Sequence, residues 1–325
     1  MDKVIKVLPL VLISVFGLYF SFENIDFNNL YYKIININGS YLFLSIVLLF
    51  ISVLFRSLRL QWIIAPIDSD ITINNSFSST MIGYFGNGIL FFRLGEVLKA
   101  YSISKNKKIK VTESFGIIML ERIIDAVSLL VLIILAIPWM PLDNSNINYW
   151  IISFSIITIL FISIIFLLKK MNWMDKINSL PVISIVQKKK LVKLVNNIFK
   201  GLYALKNNQY LYKVVFSTIG MWICYFIMTA LLIYTCNIDI NLFDIYMTLI
   251  IGAIIIAVPA LPGGLGTYEA GVTYAMVILF SIPKDEALTY ALISHSANYF
   301  PFLIVGAICF ILSGLSIKDI NKGVI

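Results

Sequence analysis

Charge is what this chain has least of. Of its 325 residues only 13% are Asp, Glu, Lys or Arg, against 60% hydrophobic and a mean hydropathy of +0.92. A soluble domain carries about 25% charged residues, and half that supply cannot cover a water-facing surface of this size. A soluble globular protein is excluded, and the same figures exclude disorder. Histidine occurs once, at His295, which excludes a histidine-rich metal centre. Cys224, Cys236 and Cys309 all lie in apolar runs and read as small packing residues, not as a disulfide or a metal site. No polar stretch is long enough to fold separately, and no small-residue cleavage site follows the first apolar run, so that run is expected to be a retained span. What remains is an integral membrane protein, a single membrane domain over residues 1–325 with no cofactor expected.

A transmembrane helix takes roughly 20 apolar residues. Runs near that length are Val4–Phe22, Ser40–Phe55, Phe115–Pro138, Tyr149–Leu168, Val214–Cys236 and Ala287–Leu312. Each reads as a helix, because backbone groups in lipid must be satisfied internally. Two further stretches are interrupted. Ser76–Phe92 contains Gly83, Gly86 and Gly88 and runs into Arg93, and Ile245–Ile282 is broken by Pro259, Pro262, Gly263, Gly264 and Gly266.

Basic residues set the orientation. Residues 169–213 hold ten lysines against one acid, Asp175. Lys99, Lys105, Lys107, Lys108 and Lys110 form a second basic segment, and Arg56 and Arg59 follow the second run. Acid without base marks 138–149 (Asp143) and 237–244 (Asp239, Asp244). The basic group is expected inside and the acidic group outside, with Lys3 and Lys6 at one terminus and Lys318 and Lys322 at the other both cytoplasmic. Counting crossings then makes each interrupted stretch re-entrant, one from each face. The expected fold is an all-α polytopic membrane protein of about six transmembrane helices plus two re-entrant helical hairpins in an inverted repeat, with units at 76–137 and 245–312. The isoleucine, asparagine and lysine bias points to an AT-rich prokaryotic genome, and so to a cytoplasmic membrane.

The repeat carries a register. From Gly95 to Glu113 is 18 residues, and from Gly266 to Glu286 is 20. Nine residues beyond those glutamates stand Arg122 and His295; twelve beyond stand Asp125 and Asn298. Inverted repeats with broken helices build many transporters, whose site lies between the repeats near the bilayer midplane.

Charges inside apolar segments cost about 2.5–3.5 kcal/mol each by insertion scales, and here they are Arg93, Glu96, Glu121, Arg122 and Asp125. Glu121, Arg122 and Asp125 can share one helix flank. They read either as a cavity taking an anionic headgroup on Arg122 and Arg93, or as an ion-pair set that only locks helices together. Gly95 and the Pro262-Gly263-Gly264-Leu265-Gly266 run bend the backbone beside helix starts, where free N–H groups suit phosphate. The alternative is a purely structural helix break. No P-loop Lys-Ser/Thr pattern accompanies them, so no nucleotide is implied. Glu269 is expected to bind a cation, carry a proton or pair with Arg93 or Arg122, and His295 and Asn298 to line the same cavity or to pack. The segment 181–206 reads as a basic amphipathic helix on the inner leaflet, where anionic lipid is its partner and nucleic acid is not.

Arg93-Leu94-Gly95-Glu96 with Lys99, then Glu121-Arg122 with Asp125, then Pro262-Gly263-Gly264-Leu265-Gly266 with Glu269, resembles the lysylphosphatidylglycerol synthase transmembrane family, also called the flippase-like domain family. The resemblance covers nearly the whole chain. It implies a lipid translocator without the soluble transferase domains found joined to it elsewhere. By that resemblance Arg93, Glu96, Glu121, Arg122, Asp125 and Glu269 line a headgroup path. The leading expectation is a flippase or scramblase for a phospholipid or polyprenyl-phosphate lipid, not an enzyme; a homo-oligomer is compatible with it. A membrane transferase with Glu121 or Asp125 as general base, and a non-transporting assembly factor, are the alternatives.

Overall fold

The computed structural model describes residues 2–105, 109–139, 156, 163, 185–206, 208–257 and 261–315. The expected span Tyr149–Leu168 apart from residues 156 and 163, the basic segment before residue 185, and Lys318 and Lys322 lie outside the described residues. Among those described there is no strand. The helices are α1 (Asp2–Phe22), α2 (Phe27–Ile35), α3 (Gly39–Ile64), α4 (Ile73–Ile89), α5 (Gly95–Ser104), α6 (Val111–Ala136), α7 (Ile185–Leu202), α8 (Leu211–Thr235), α9 (Leu242–Ala257), α10 (Thr267–Phe280) and α11 (Lys284–Leu312).

Three of these, α3, α8 and α11, are long and apolar enough to cross a membrane. A fourth span arises if the α1–α2 pair, bent by 90°, counts as one. α6 has the length, 26 residues and so about 39 Å, but Glu121, Arg122 and Asp125 interrupt its apolar character. Side chains bear out the lipid setting. Val215, Phe216, Ile219, Ile223 and Ile227 form an exposed apolar stripe along α8, and Phe300, Ile304, Ile308 and Ile311 form another along α11. Large unpaired stripes of this kind belong against hydrocarbon.

α3 runs further than its composition suggests. The apolar run was expected to stop at Phe55 with Arg56 and Arg59 in a cytoplasmic loop. Instead the helix continues to Ile64, with Arg59 fully buried and Leu60, Ile63 and Ile64 packed against Ala100, Ile103, Ile117 and Val214. Carboxylates on α6 make that burial tolerable. Nearer its start α3 contributes Leu49 to a second core, with Leu232 and Ile233 of α8, Met276 of α10 and Tyr290 of α11.

Local sequence sets the helix starts. Asp26 accepts from the backbone N–H groups of Asn28 and Asn29 to open α2; Asn38 does the same for α3 through Ser40 and Tyr41. Thr72 and Asn75 close a capping box on α4.

α4–α5 and α9–α10 share one plan, a helix, a 3₁₀ break and a second helix. The first break is not at the glycines of α4. That helix runs unbroken through Gly83, Gly86 and Gly88 and stops at Ile89; Phe92 (φ 58°) and Arg93 (φ 54°) then take left-handed conformations. The glycines serve close approach instead: a Cβ on Gly95 would sit 2.1 Å from the Gly83 carbonyl oxygen and 2.4 Å from the Asn87 nitrogen. The second break is where the sequence places it, with Gly263, Gly264 and Gly266 at φ 73°, 83° and 83°. α1 crosses it tightly, leaving a Cβ on Gly266 only 2.2 Å from the Ser14 carbonyl.

Candidate functional site

α6 carries its charges between α3 and α5. Lys99 of α5 donates to Glu121 at 2.7 Å, and Arg59 of α3 lies 3.6 Å from the other Glu121 oxygen. Asp125 accepts from Arg56 at 3.0 Å and from Arg59 at 2.7 Å, with Arg122 3.6 Å away. Arg122 pairs with Glu96 of α5, which also accepts from Asn87 at 3.2 Å. Arg56, Arg59, Lys99 and Arg122 therefore face Glu96, Glu121 and Asp125, a surplus of one positive charge. The Nε–H groups of Arg56 and Arg59 have no acceptor among the described residues, while Glu96 Oε2, Glu121 Oε1 and Asn87 Oδ1 have no donor.

Arg56, Tyr84, Asn87, Glu96, Lys99 and Arg122 are among the residues lining a small cavity here, about 10 Å³, space for roughly one water. Arg122 is the open member, its side chain 37% exposed where that of Arg59 is 0%. Tyr84 stacks on Phe302 of α11 at 4.2 Å. Phe302 adjoins Pro301, which lines an apolar groove of about 460 Å³ between α3 and α11, walled by Leu42, Ile46, Phe50, Phe300 and Ile304.

The remaining candidates gather at the second break. Glu269, one turn into α10, lies 2.5 Å from Nδ1 of His295 and accepts from the Gly266 N–H at 2.7 Å. Nε2 of His295 donates to the Gly263 carbonyl at 2.9 Å. Glu269 thus pairs with His295, and neither Arg93 nor Arg122 reaches it. Asn298 donates to Ser294 on its own helix. None of Glu269, His295 and Asn298 lines the small cavity. The two regions touch through the breaks: Arg93 donates to the Ile256 carbonyl ending α9, and Tyr299 donates to the Gly88 carbonyl at 3.1 Å.

Arg56, Arg59, Tyr84 and Asn87 belong to the site and were not among the residues expected there. Arg56 and Arg59 served only as markers of the inner face. The signal for their burial was the apolar spacing of Leu60, Ile63 and Ile64, which carries the helix past them. Tyr84 and Asn87 had no signal of their own.

A helical membrane protein with a buried, cation-rich charge cluster beside a broken helix is the class that these features define. The chain belongs to the family described as the lysylphosphatidylglycerol synthase TM region, whose model matches residues 7–306. A relative is the UPF0104 membrane protein MJ1078 of Methanocaldococcus jannaschii, 28% identical over 231 residues, which are 70% of this chain and 93% of that one. No solved structure matches.

Proposed function

We propose that this protein is a lipid translocator, not an enzyme, and moves a phospholipid or polyprenyl-phosphate lipid between the leaflets of a prokaryotic cytoplasmic membrane. The observation that carries the reading is a charge cluster with one more cation than carboxylate, the open Arg122 among its four cations, on helices whose outer faces are apolar. Isolated buried charge is costly, and an ion-pair set built only to lock helices would come out balanced. A phosphate headgroup supplies the missing negative charge. Arg122, half open, and Arg93, on the exposed break, receive it; the tails stay in hydrocarbon, where the α3–α11 groove offers an apolar wall.

The alternation follows from the two helix–break–helix units, taken as an inverted repeat of re-entrant hairpins. Their likeness is supported by the ion pairs. Arg122 with Glu96 and His295 with Glu269 are each 26 residues apart in sequence. Rocking of one unit against the other exposes the site to each leaflet in turn. Both termini lie on the cytoplasmic side in this scheme, and α7 and the basic segment before it meet anionic inner-leaflet lipid.

The test is Arg122→Ala in proteoliposomes carrying a fluorescent phospholipid. Wild type moves the probe between leaflets, and the variant loses at least about tenfold in initial rate, the effect of removing roughly 1.4 kcal/mol of headgroup interaction. Unchanged translocation in a folded Arg122→Ala protein removes this residue from the mechanism.

A further inference from the structure

Both ring nitrogens of His295 face hydrogen-bond acceptors. Nε2 meets the Gly263 carbonyl at 2.9 Å and Nδ1 meets a Glu269 carboxylate oxygen at 2.5 Å. A carbonyl accepts only, so Nε2 carries a proton. An imidazole nitrogen and a carboxylate oxygen within hydrogen-bond reach need a proton between them, so a second one belongs to Nδ1 and Glu269. The pair therefore holds one exchangeable proton, as imidazolium with carboxylate or as imidazole with carboxylic acid, and is neutral in either form. When that proton leaves to water, the Glu269 carboxylate is left facing the bare Nδ1 lone pair.

That event acts on the backbone. The other Glu269 oxygen accepts from Gly266, and Nε2 donates to Gly263, so the pair ties two glycines of the second break to α11. The equivalent place in the first unit is held by Arg122 with Glu96 at the same 26-residue separation, and a guanidinium does not release its proton. One unit thus has a permanent cation and the other a titratable one. His295 is the only histidine in the chain. The other titratable groups around the pair, among the described residues, are tyrosines. Tyr268 and Tyr299 stand with ring centres 4.9 and 5.9 Å from the imidazole, and the Tyr268 hydroxyl is bonded to Ser294. Tyr290 lies buried on α11. From the first unit comes Arg93, held on the Ile256 carbonyl; α1 contributes Ser14.

We infer that Glu269 and His295 form a proton-binding site that latches the second break to α11, so that proton release frees the break and couples lipid movement to a transmembrane proton gradient. The coupling rests on the translocator reading; the proton site does not.

Two measurements separate them. With ring-¹⁵N histidine, the single histidine gives one pair of nitrogen signals from protein in lipid nanodiscs. A proton on or shared at Nδ1, lost in Glu269→Gln, is expected, because an amide N–H satisfies Nδ1 without it. A wild-type spectrum with Nδ1 bare overturns the proposal. In proteoliposomes, an imposed gradient of one pH unit, worth up to about tenfold per proton, is expected to change the wild-type rate several-fold. His295→Arg, which copies the permanent cation of the first unit, should move lipid at a rate indifferent to the gradient. Wild-type transport that ignores the gradient, or a gradient response kept in His295→Arg, defeats the coupling and leaves the translocator standing. Wild-type protein that moves no lipid with or without a gradient defeats the translocator reading itself.

Discussion

Asp125 and Arg122 sit three residues apart on one helix, yet their removal should have different consequences. Asp125 is the shared acceptor of Arg56 and Arg59, and Arg59 is fully buried. Asp125→Ala takes the hydrogen-bonded carboxylate from both guanidiniums, leaving Arg59 only Glu121 at 3.6 Å, and breaking a buried pair from one side costs about 3–5 kcal/mol. The expected outcome is a large drop in thermal unfolding temperature in detergent, partly recovered in the double variant Asp125→Ala/Arg56→Met. Arg122 is 37% exposed, and both its partners keep others: Glu96 retains Asn87, and Asp125 retains Arg56 and Arg59. Arg122→Ala should cost about 1 kcal/mol or less in the same melt, while removing transport. A melt as low as that of Asp125→Ala would make Arg122 a structural residue. The charges on α6 were legible in the sequence because they interrupt an apolar run. Their partners on α3 were not, since an arginine at the end of an apolar run reads equally well as a loop marker, and only the carboxylates brought from α6 distinguish the two.

The helix breaks depend on glycines that do different things. Gly95 begins α5 against the backbone of α4, with no room for a Cβ. Gly95→Ala must push the two helices apart, an overpacking cost of typically about 1–3 kcal/mol, and would displace Glu96 and Lys99 from Arg122 and Glu121. Loss of both thermal stability and transport is expected. Gly39, at the open start of α3, has nothing within 4 Å of an added Cβ, and Gly39→Ala should stay within about 0.5 kcal/mol of wild type. Equal melts for the two variants would show that the α4–α5 approach is not tight. The second break could be read from its Pro-Gly-Gly-Leu-Gly run, whose glycines are suited to positive φ and whose proline and glycines are poorly suited to helix. At the first break the sequence pointed to Gly95, with Gly83, Gly86 and Gly88 interrupting the run before it, and the chain bends between them instead, at Phe92 and Arg93. A glycine that lets two helices touch and a glycine that breaks a helix look alike without the partner helix in view.

At the scale of the molecule, alternation between leaflets depends on which face each end of the bundle meets. α2 leaves α1 at 90° and presents Phe27, Tyr31, Tyr32 and Ile35 outward, an aromatic surface suited to the headgroup layer. It is held there by Lys33, 3.5 Å from Asp285 and 3.1 Å from Glu286, and Lys284 donates to the carbonyls ending α1. α7 is fixed at another end of the bundle. Gly116 of α6 and Gly201 of α7 meet backbone to backbone, and Lys200 reaches Glu113 at 2.8 Å. If one end is external and the other cytoplasmic, these two helices carry opposite labels. Tyr31 is 67% exposed and Lys193 is exposed too, so each accepts a reporter cysteine in a background where Cys224, Cys236 and Cys309 are alanine. Intact cells treated with an impermeant thiol reagent should label Tyr31→Cys at once and Lys193→Cys only after lysis. That result puts an odd number of crossings between α2 and α7, as two units entering from opposite faces require. Labelling of both from outside, or of neither, makes the number even. The units would then enter from one face, and rocking between them could no longer carry a headgroup from leaflet to leaflet.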